Sequence, residues 1–137
     1  MRNVVLALLA YAMLTGCSAR AGMTVAQAIH LCRQGARNER VQTGGVVSTV
    51  LGTRVTRSGP HLGFIITTPG GKHAQRRLHV RVETNVGITG PIPLTRGDHV
   101  QIVGELACDD HVLHWTHHDP EGRDPGGYVL VDGRIYQ

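Results

Sequence analysis

Short segments of alternating apolar and polar residues, separated by turn residues, run from Val41 to the end of the chain. In the clearest of them, Asp98 to Ala107, one face would carry Val100, Ile102, Gly104 and Leu106. Because strand side chains point alternately to opposite faces, this pattern predicts a strand with one buried side. Further strands are predicted at residues 44–51, 62–67, 78–83, 111–118, 128–131 and 134–136. The pattern is typical of an all-β domain.

One short helix is predicted ahead of the strands, over residues 25–34. Thr24 and Gln27 have the spacing of a capping box, in which a hydroxyl and an amide side chain satisfy free backbone groups at a helix start. Apolar residues follow at helical spacing, and Gly35 supplies a natural stop. This helix would bury one apolar stripe that includes Cys32.

Turn signals between the strands favour a small barrel. Pro69 to Lys72 predicts a hairpin between two central strands, and Asp132-Gly133 predicts a C-terminal β-hairpin. The pair Gly44-Gly45 predicts a bulge or bend in the first strand. A bent first strand, a meander and a late strand pair resemble an OB-fold, a five-stranded Greek-key barrel. We therefore predict an all-β, OB-fold-like barrel with one N-terminal helix; an immunoglobulin-like sandwich is the alternative but needs more strands.

Residues 1–17 have the form of a targeting segment. A basic start leads into an apolar run, Val4 to Leu14, that is shorter than the ~20 residues of a membrane-spanning helix. The segment ends in Leu14-Thr15-Gly16-Cys17, which resembles the lipobox of bacterial lipoproteins. This pattern predicts that Cys17 is lipidated and anchors the protein in a membrane. An ordinary secretory signal with a coincidental cysteine is the alternative.

The residues after the lipobox predict the location of the folded domain. Ser18, rather than aspartate, follows the cysteine and resembles an outer-membrane sorting signal. Residues 18–23 form a short tether and residues 24–137 a single domain. We therefore expect an envelope protein on the periplasmic face of the outer membrane. Loss of Arg2 with the signal would leave 13 basic and 10 acidic residues, a bias too small to indicate nucleic-acid binding specifically.

Two cysteines remain in the mature domain, Cys32 and Cys108. Outside the cytoplasm, paired thiols are expected to oxidise, so the compartment favours a disulfide between them. The alternative is two small buried side chains that do not meet. Neither belongs to a Cys-x-x-Cys pair, which argues against thiol–disulfide exchange as the activity.

The densest group of chemically active residues lies between His114 and Pro120. The candidate ligand or metal-binding residues there are His114, His117, His118 and Asp119, and His61 and His79 are candidates from elsewhere in the chain. Imidazole and carboxylate groups bind zinc and copper, so these two metals are the candidate cofactors. In a straight strand, however, His114 and His118 would be too far apart for one ion. Asp119 could instead form a local turn while a histidine caps backbone carbonyls.

Trp115, the only tryptophan, lies inside this group. In a domain with few aromatic residues, it is more typical of a core anchor than of a solvent-exposed group. The alternative is a stacking platform for a ligand, as in OB-folds that bind single strands.

Much of the mature domain resembles an uncharacterised bacterial family, domain of unknown function 3465. The segments that carry the resemblance are His114 to Pro120, Gly126 to Tyr128 and Gly133 to Gln137, with weaker agreement at His61 to Phe64, Asn85-Val86 and Arg96 to Asp98. Members of the family carry a histidine before the asparagine, where this chain has Thr84. If that histidine is a ligand in the family, this chain either lacks the ligand or uses His79 instead. The resemblance implies a small secreted or anchored envelope protein and assigns no reaction.

Two classes of function fit these observations. The favoured hypothesis is a non-catalytic OB-like binding module for an envelope ligand, either a glycan, a peptide or a nucleic acid, with residues 84–96 as a candidate lid. The alternative is a metal-dependent hydrolase or phosphodiesterase, or a metal-capture protein, that uses the histidine-rich segment. No nucleophile, Walker-A or dinucleotide-binding motif is present, so the sequence leans away from an enzyme.

Overall fold

The computed structural model describes residues 22–71 and 76–137. Its elements are α1 (Val25–Arg33), β1 (Asn38–Thr56), β2 (Gly59–Pro69), β3 (Arg77–Asn85), α2 (Val86–Thr89), β4 (His99–Ala107), β5 (Leu113–His114), β6 (Tyr128–Val131) and β7 (Arg134–Tyr136). Strands account for 51% of the described residues and helices for 12%, which confirms the predicted β-rich fold. The predicted signal segment, Cys17 and most of the tether lie outside the described residues, as does Lys72 of the predicted turn.

Five of the strands form a closed ring. The order of pairing is β1–β2–β3–β5–β4 and back to β1, with β3 and β5 parallel and the other neighbours antiparallel. Strands β6 and β7 extend the same sheet from β4 as the predicted C-terminal hairpin. Because all the described strands belong to one sheet, the two-sheet arrangement of an immunoglobulin-like sandwich does not fit.

The long strand β1 closes the ring because it has two partners. Its first half pairs with β4 as far as Val46, and its second half pairs with β2 from Val46 onward. A Cβ at Gly45 would lie 2.8 Å from the Thr67 carbonyl oxygen, so this close approach of β1 and β2 requires glycine. The register shifts lie just beyond the glycine pair, between Val47 and Thr49 and between Val50 and Gly52.

The hydrophobic core lies inside the ring. Its largest fully buried side chains are Phe64, Ile66, Ile102, Leu106 and Leu113. The helix α1 covers part of this core with Val25 and Ala28, and the predicted capping box of Thr24 and Gln27 is present. None of the described helices is long and apolar enough to cross a membrane.

The predicted disulfide links α1 to the end of β4, since the sulfur atoms of Cys32 and Cys108 lie at bonding distance, 2.01 Å. The bond joins positions 76 residues apart in sequence, so it connects the N-terminal helix to the second half of the chain. It therefore fixes the helix on the ring beside the residues that form the site described below.

The histidine-rich strand and the connection over residues 84–96 were both predicted too long. The predicted strand over residues 111–118 is only the two-residue strand β5. It ends because Trp115 has a φ of 52°, in the left-handed region, where an extended strand cannot continue. The predicted connection over 84–96 is also shorter, because Thr84 and Asn85 belong to β3 and the helix α2 follows at once.

Candidate ligand-binding cleft

A row of polar side chains crosses four neighbouring strands on the face of the sheet away from the core. The row consists of His61 on β2, Glu83 and Asn85 on β3, His114 on β5 and Glu105 on β4. Strand pairing explains their proximity. His61 lies opposite Asn85, and His114 lies opposite Glu105, so the Cβ atoms within each pair are about 5 Å apart. The alternation that buries the neighbouring apolar residues therefore also places these polar residues together.

The segment after β5 turns this row into a cleft. Trp115, His117 and residues 119–121 and 123 line its other side, and the cleft has a volume of about 410 Å³. A cleft of this size is in the usual range for a small-molecule or glycan site. Residues from the first strand pair, the end of β4 and the histidine-rich segment all contribute to it.

Trp115 is not the core anchor that its rarity suggested. Its side chain is 48% exposed, and it lines the cleft. Because the backbone at Trp115 is left-handed, its side chain points in a different direction from that of a strand residue. The centroid of its indole ring lies 5.6 Å from that of the His117 imidazole, with an angle of 38° between the ring planes. The buried imidazole therefore packs against the indole.

Two glycines hold this segment in place. Gly127 donates its backbone N–H to the carbonyl of His117 at 2.7 Å. A Cβ at Gly127 would lie 2.2 Å from the carbonyl oxygens of both Trp115 and Val103, and a Cβ at Gly126 would lie 2.9 Å from the Cα of His118. The chain therefore needs glycine where the loop before β6 passes between β4 and the histidine-rich segment.

Two of the cleft histidines have their ring orientation set by the backbone. His117 Nδ1 lies 2.7 Å from the carbonyl oxygen of His118, and His61 Nδ1 lies 3.0 Å from that of Gly59. Since a carbonyl only accepts, Nδ1 of His117 carries the proton in its hydrogen bond, and the neutral ring has its lone pair on Nε2. Nδ1 of His61 also lies 3.1 Å from the Thr56 hydroxyl, which can donate or accept, so these contacts fix the ring orientation of His61 and leave both tautomers open.

Glu83 forms the floor of the cleft and is 4% exposed. Arg54 binds both of its carboxylate oxygens, at 2.9 and 2.8 Å, and Arg81 binds one of them at 2.6 Å. Burial by itself would raise the pKa of Glu83, but the hydrogen bonds and positive charges of the two arginines outweigh it and hold the pKa below its usual value. Glu83 is therefore ionised and its charge is matched.

Asp119 organises the loop that follows it. Its carboxylate accepts the backbone N–H groups of Glu121, Arg123 and Asp124, at 3.0, 2.7 and 3.0 Å. Hydrogen bonding to Glu121 and Asp124, followed by that to Arg123, lowers the pKa of Asp119 below its usual value. This is the local-turn role that the sequence left open as an alternative to metal binding.

We expect the Asp119→Asn substitution to loosen this loop. An amide nitrogen cannot accept a hydrogen bond, so at least one of the three backbone contacts is lost. In the unaltered protein the same loss occurs on acidification. Because the folded-state pKa is lowered, the stabilisation is complete above the usual value of 3.8 and disappears as the pH falls through the lowered pKa. The rate of tryptic cleavage after Arg123 measures the opening.

The matched control for this prediction is Asp109→Asn. Asp109 is exposed, and its carboxylate accepts only from the adjacent N–H of Asp110. Faster cleavage in Asp119→Asn than in Asp109→Asn supports the role of Asp119. Equal rates in both variants would show that the loop does not depend on its carboxylate.

The structure brings together only part of the predicted site. His61, His114, Trp115, His117 and Asp119 all line the cleft. His118 is exposed and outside the lining, and exposed His79 lies on β3 near Thr67. Within residues 22–71 and 76–137, no three His, Cys, Asp or Glu side chains converge on a point that could hold a metal ion. The predicted zinc or copper donor set therefore does not fit as one site.

Glu83, Asn85 and Glu105 were missed as site residues. The alternation of β4 already placed Glu105 on the face opposite the core residues, and the same holds for Glu83 between Val82 and Thr84. What the sequence lacked was the order of the strands, because β5 lies between β3 and β4 and brings the two carboxylates to the same cleft.

The fold and site define a small β-rich domain whose ring of strands carries a polar, tryptophan-bearing cleft on its outer face. No protein-family model, curated protein or solved structure matches this chain. The resemblance to domain of unknown function 3465 therefore stays a prediction, and the cleft itself is the basis for a functional proposal.

Proposed function

We propose that this protein is a non-catalytic binding module, anchored in the bacterial envelope through Cys17, that holds its ligand in the cleft beside Trp115. We also propose that its ring of strands is an OB-fold. The strand order of the ring and the shared strand β1 support the fold assignment. The lipobox-like tetrapeptide supports the anchoring, and Ser18 supports the outer membrane as the location.

The observation that carries the proposal is the conformation of Trp115. A bulky residue with a positive φ is an outlier, and such strain costs ~1–3 kcal/mol. The large apolar ring is also 48% exposed, although burying it would stabilise the fold. Strain of this kind persists where the surrounding structure enforces it, and it concentrates at functional sites. Gly127 and His117 provide that enforcement, so the ring is held ready for a ligand.

Binding fits the cleft better than the alternative of metal-dependent hydrolysis or metal capture. Both oxygens of Asp119 are already occupied by backbone N–H groups, and Glu83 is occupied by two arginines. No group of metal ligands converges in the described part of the chain. A pre-oriented aromatic ring beside polar side chains is instead the usual composition of a recognition site.

Trp115→Ala is expected to weaken ligand binding by ~1–3 kcal/mol, the range measured for stacking aromatic side chains in OB-folds. Calorimetric titration of envelope glycans, peptides and oligonucleotides into the full chain would first identify a ligand and then compare the variant. Val55→Ala is the control, because Val55 is an apolar side chain 84% exposed and outside the cleft. The proposal fails if no ligand binds saturably, or if Trp115→Ala binds as tightly as Val55→Ala.

A further inference from the structure

We infer that the cleft binds a neutral, hydroxyl-rich saccharide, with a sugar ring stacked on Trp115. The inference rests on the proposed function and adds the chemical class of the ligand. It follows from the hydrogen-bonding character of the side chains that remain available in the cleft.

The groups that remain available in the cleft include both donors and acceptors. Nε2 of His117 is an acceptor in the neutral ring, because the Nδ1 proton is donated to a backbone carbonyl. Glu105 adds a carboxylate that takes part in no ion pair of the described residues. Both residues lie in the same cleft as the Trp115 ring.

The other charged residues of the cleft are already engaged. Glu83 is held by Arg54 and Arg81, and Glu121 forms an ion pair with Arg123. Donors are present as well. The amide of Asn85 has two N–H groups, and only one of them is donated, to the Ser58 carbonyl at 2.8 Å. The amide of Asn38 and the indole N–H of Trp115 also belong to residues that line the cleft.

This composition favours a sugar over the other two ligand classes that the sequence left open. A phosphate offers only acceptors and negative charge, so the unpaired carboxylate of Glu105 repels it. An extended peptide brings one N–H and one carbonyl at every residue in a fixed alternation, whereas each sugar hydroxyl can both donate and accept. A sugar hydroxyl can therefore donate to Glu105 or His117 and can accept from Asn38.

Trp115 supplies the apolar half of the site. One face of a pyranose ring carries aliphatic C–H groups, which pack against an aromatic ring whose π face is electron-rich. The His117 imidazole fixes the tilt of the Trp115 ring, so a sugar would meet a surface that does not have to be ordered on binding. The sugar would then stack on Trp115 through one face and form hydrogen bonds to the polar side chains through its hydroxyl groups.

The single tryptophan makes the test direct, because all indole fluorescence of the chain comes from the cleft. The full chain would be titrated in a detergent without a sugar headgroup. The probes are linear hexasaccharides of glucose and of N-acetylglucosamine, a single-stranded oligodeoxythymidylate and an uncharged extended hexapeptide. We expect a saturable fluorescence change with at least one hexasaccharide and none with the oligonucleotide or the peptide.

The variant Glu105→Gln tests the acceptor argument. It keeps the size of the side chain, replaces one acceptor oxygen by a donor and removes the charge, so we expect about tenfold weaker saccharide binding. Glu39→Gln is the matched control, since it makes the same change on β1 outside the residues that line the cleft. Thermal unfolding of both variants checks that the fold is retained.

The outcomes separate this inference from the proposed function. Saturation by the oligonucleotide or the peptide, without saturation by either saccharide, overturns the saccharide inference and leaves the binding module standing. Saccharide binding that is equal in Glu105→Gln and Glu39→Gln overturns the acceptor argument. If no probe changes the Trp115 fluorescence, the inference fails, and the calorimetric comparison of Trp115→Ala decides the proposed function by itself.

Discussion

Replacing both Cys32 and Cys108 by serine is expected to lower the free energy of unfolding by ~4 kcal/mol, the chain-entropy value for a loop of this length. The bridged positions are 76 residues apart, so the bond restricts a large part of the unfolded chain. In the folded protein it also holds α1 on the ring, where Val25 and Ala28 bury apolar surface. Urea unfolding followed by Trp115 fluorescence measures the difference.

The control for the disulfide prediction is Cys17→Ser. It replaces the third cysteine of the chain, the proposed lipid anchor, and leaves the bridge intact, so it separates the effect of a cysteine-to-serine substitution from the loss of the bond. Wild-type protein in a reducing buffer should unfold at the same urea concentration as the double variant. Agreement between the oxidised and reduced proteins to within ~0.5 kcal/mol, the usual size of a surface effect, would contradict the prediction.

Gly127→Ala is expected to destabilise the protein by ~3 kcal/mol or more, at the upper end of the cost of overpacking. The new methyl group would lie 2.2 Å from the carbonyl oxygens of Trp115 and Val103, and both oxygens belong to the backbone and cannot rotate away. The strand β6 would have to move from β4, or the histidine-rich segment would have to move from the loop. Thermal unfolding measures the loss of stability, and the emission wavelength of Trp115 reports a movement of the histidine-rich segment.

Gly44→Ala is the matched control for Gly127→Ala. Gly44 also lies in the sheet region, but a Cβ there would meet only the Val100 carbonyl oxygen, at an ordinary 3.6 Å. We expect its unfolding temperature to stay close to that of the wild type. A Gly127→Ala variant as stable as Gly44→Ala would show that the loop and β4 can separate at little cost.

Much of the fold followed from local patterns. The capping box of Thr24 and Gln27, the alternation along β4 and the turn at Asp132-Gly133 each predicted an element close to its observed position. These features work because they depend on neighbouring residues, whose hydrogen bonds and side-chain directions are set by the local backbone. The strand β1 was predicted too short, because its end beyond Leu51 is held only by pairing with β2 and has an exposed face.

The site was harder to predict than the fold. Three of the four candidate ligands of the histidine-rich segment, His114, His117 and Asp119, line the cleft with His61. A straight strand was nevertheless the wrong geometry for it, because the left-handed turn at Trp115 depends on Gly127 and Val103, which are distant in sequence. Glu105 was missed for the same reason, since its place beside His114 depends on strand order.

The sequence by itself determined the β-rich class, the helix and the C-terminal hairpin, and it favoured the pairing of Cys32 with Cys108. The first three depend on residue type and short spacing, and the pairing follows from there being two cysteines after the predicted signal segment. The tertiary structure alone decided that Trp115 is exposed and that Glu105 faces the cleft. Those properties arise where strands distant in sequence pack together, because only that packing fixes which side chains are covered and which hydrogen-bonding groups remain available.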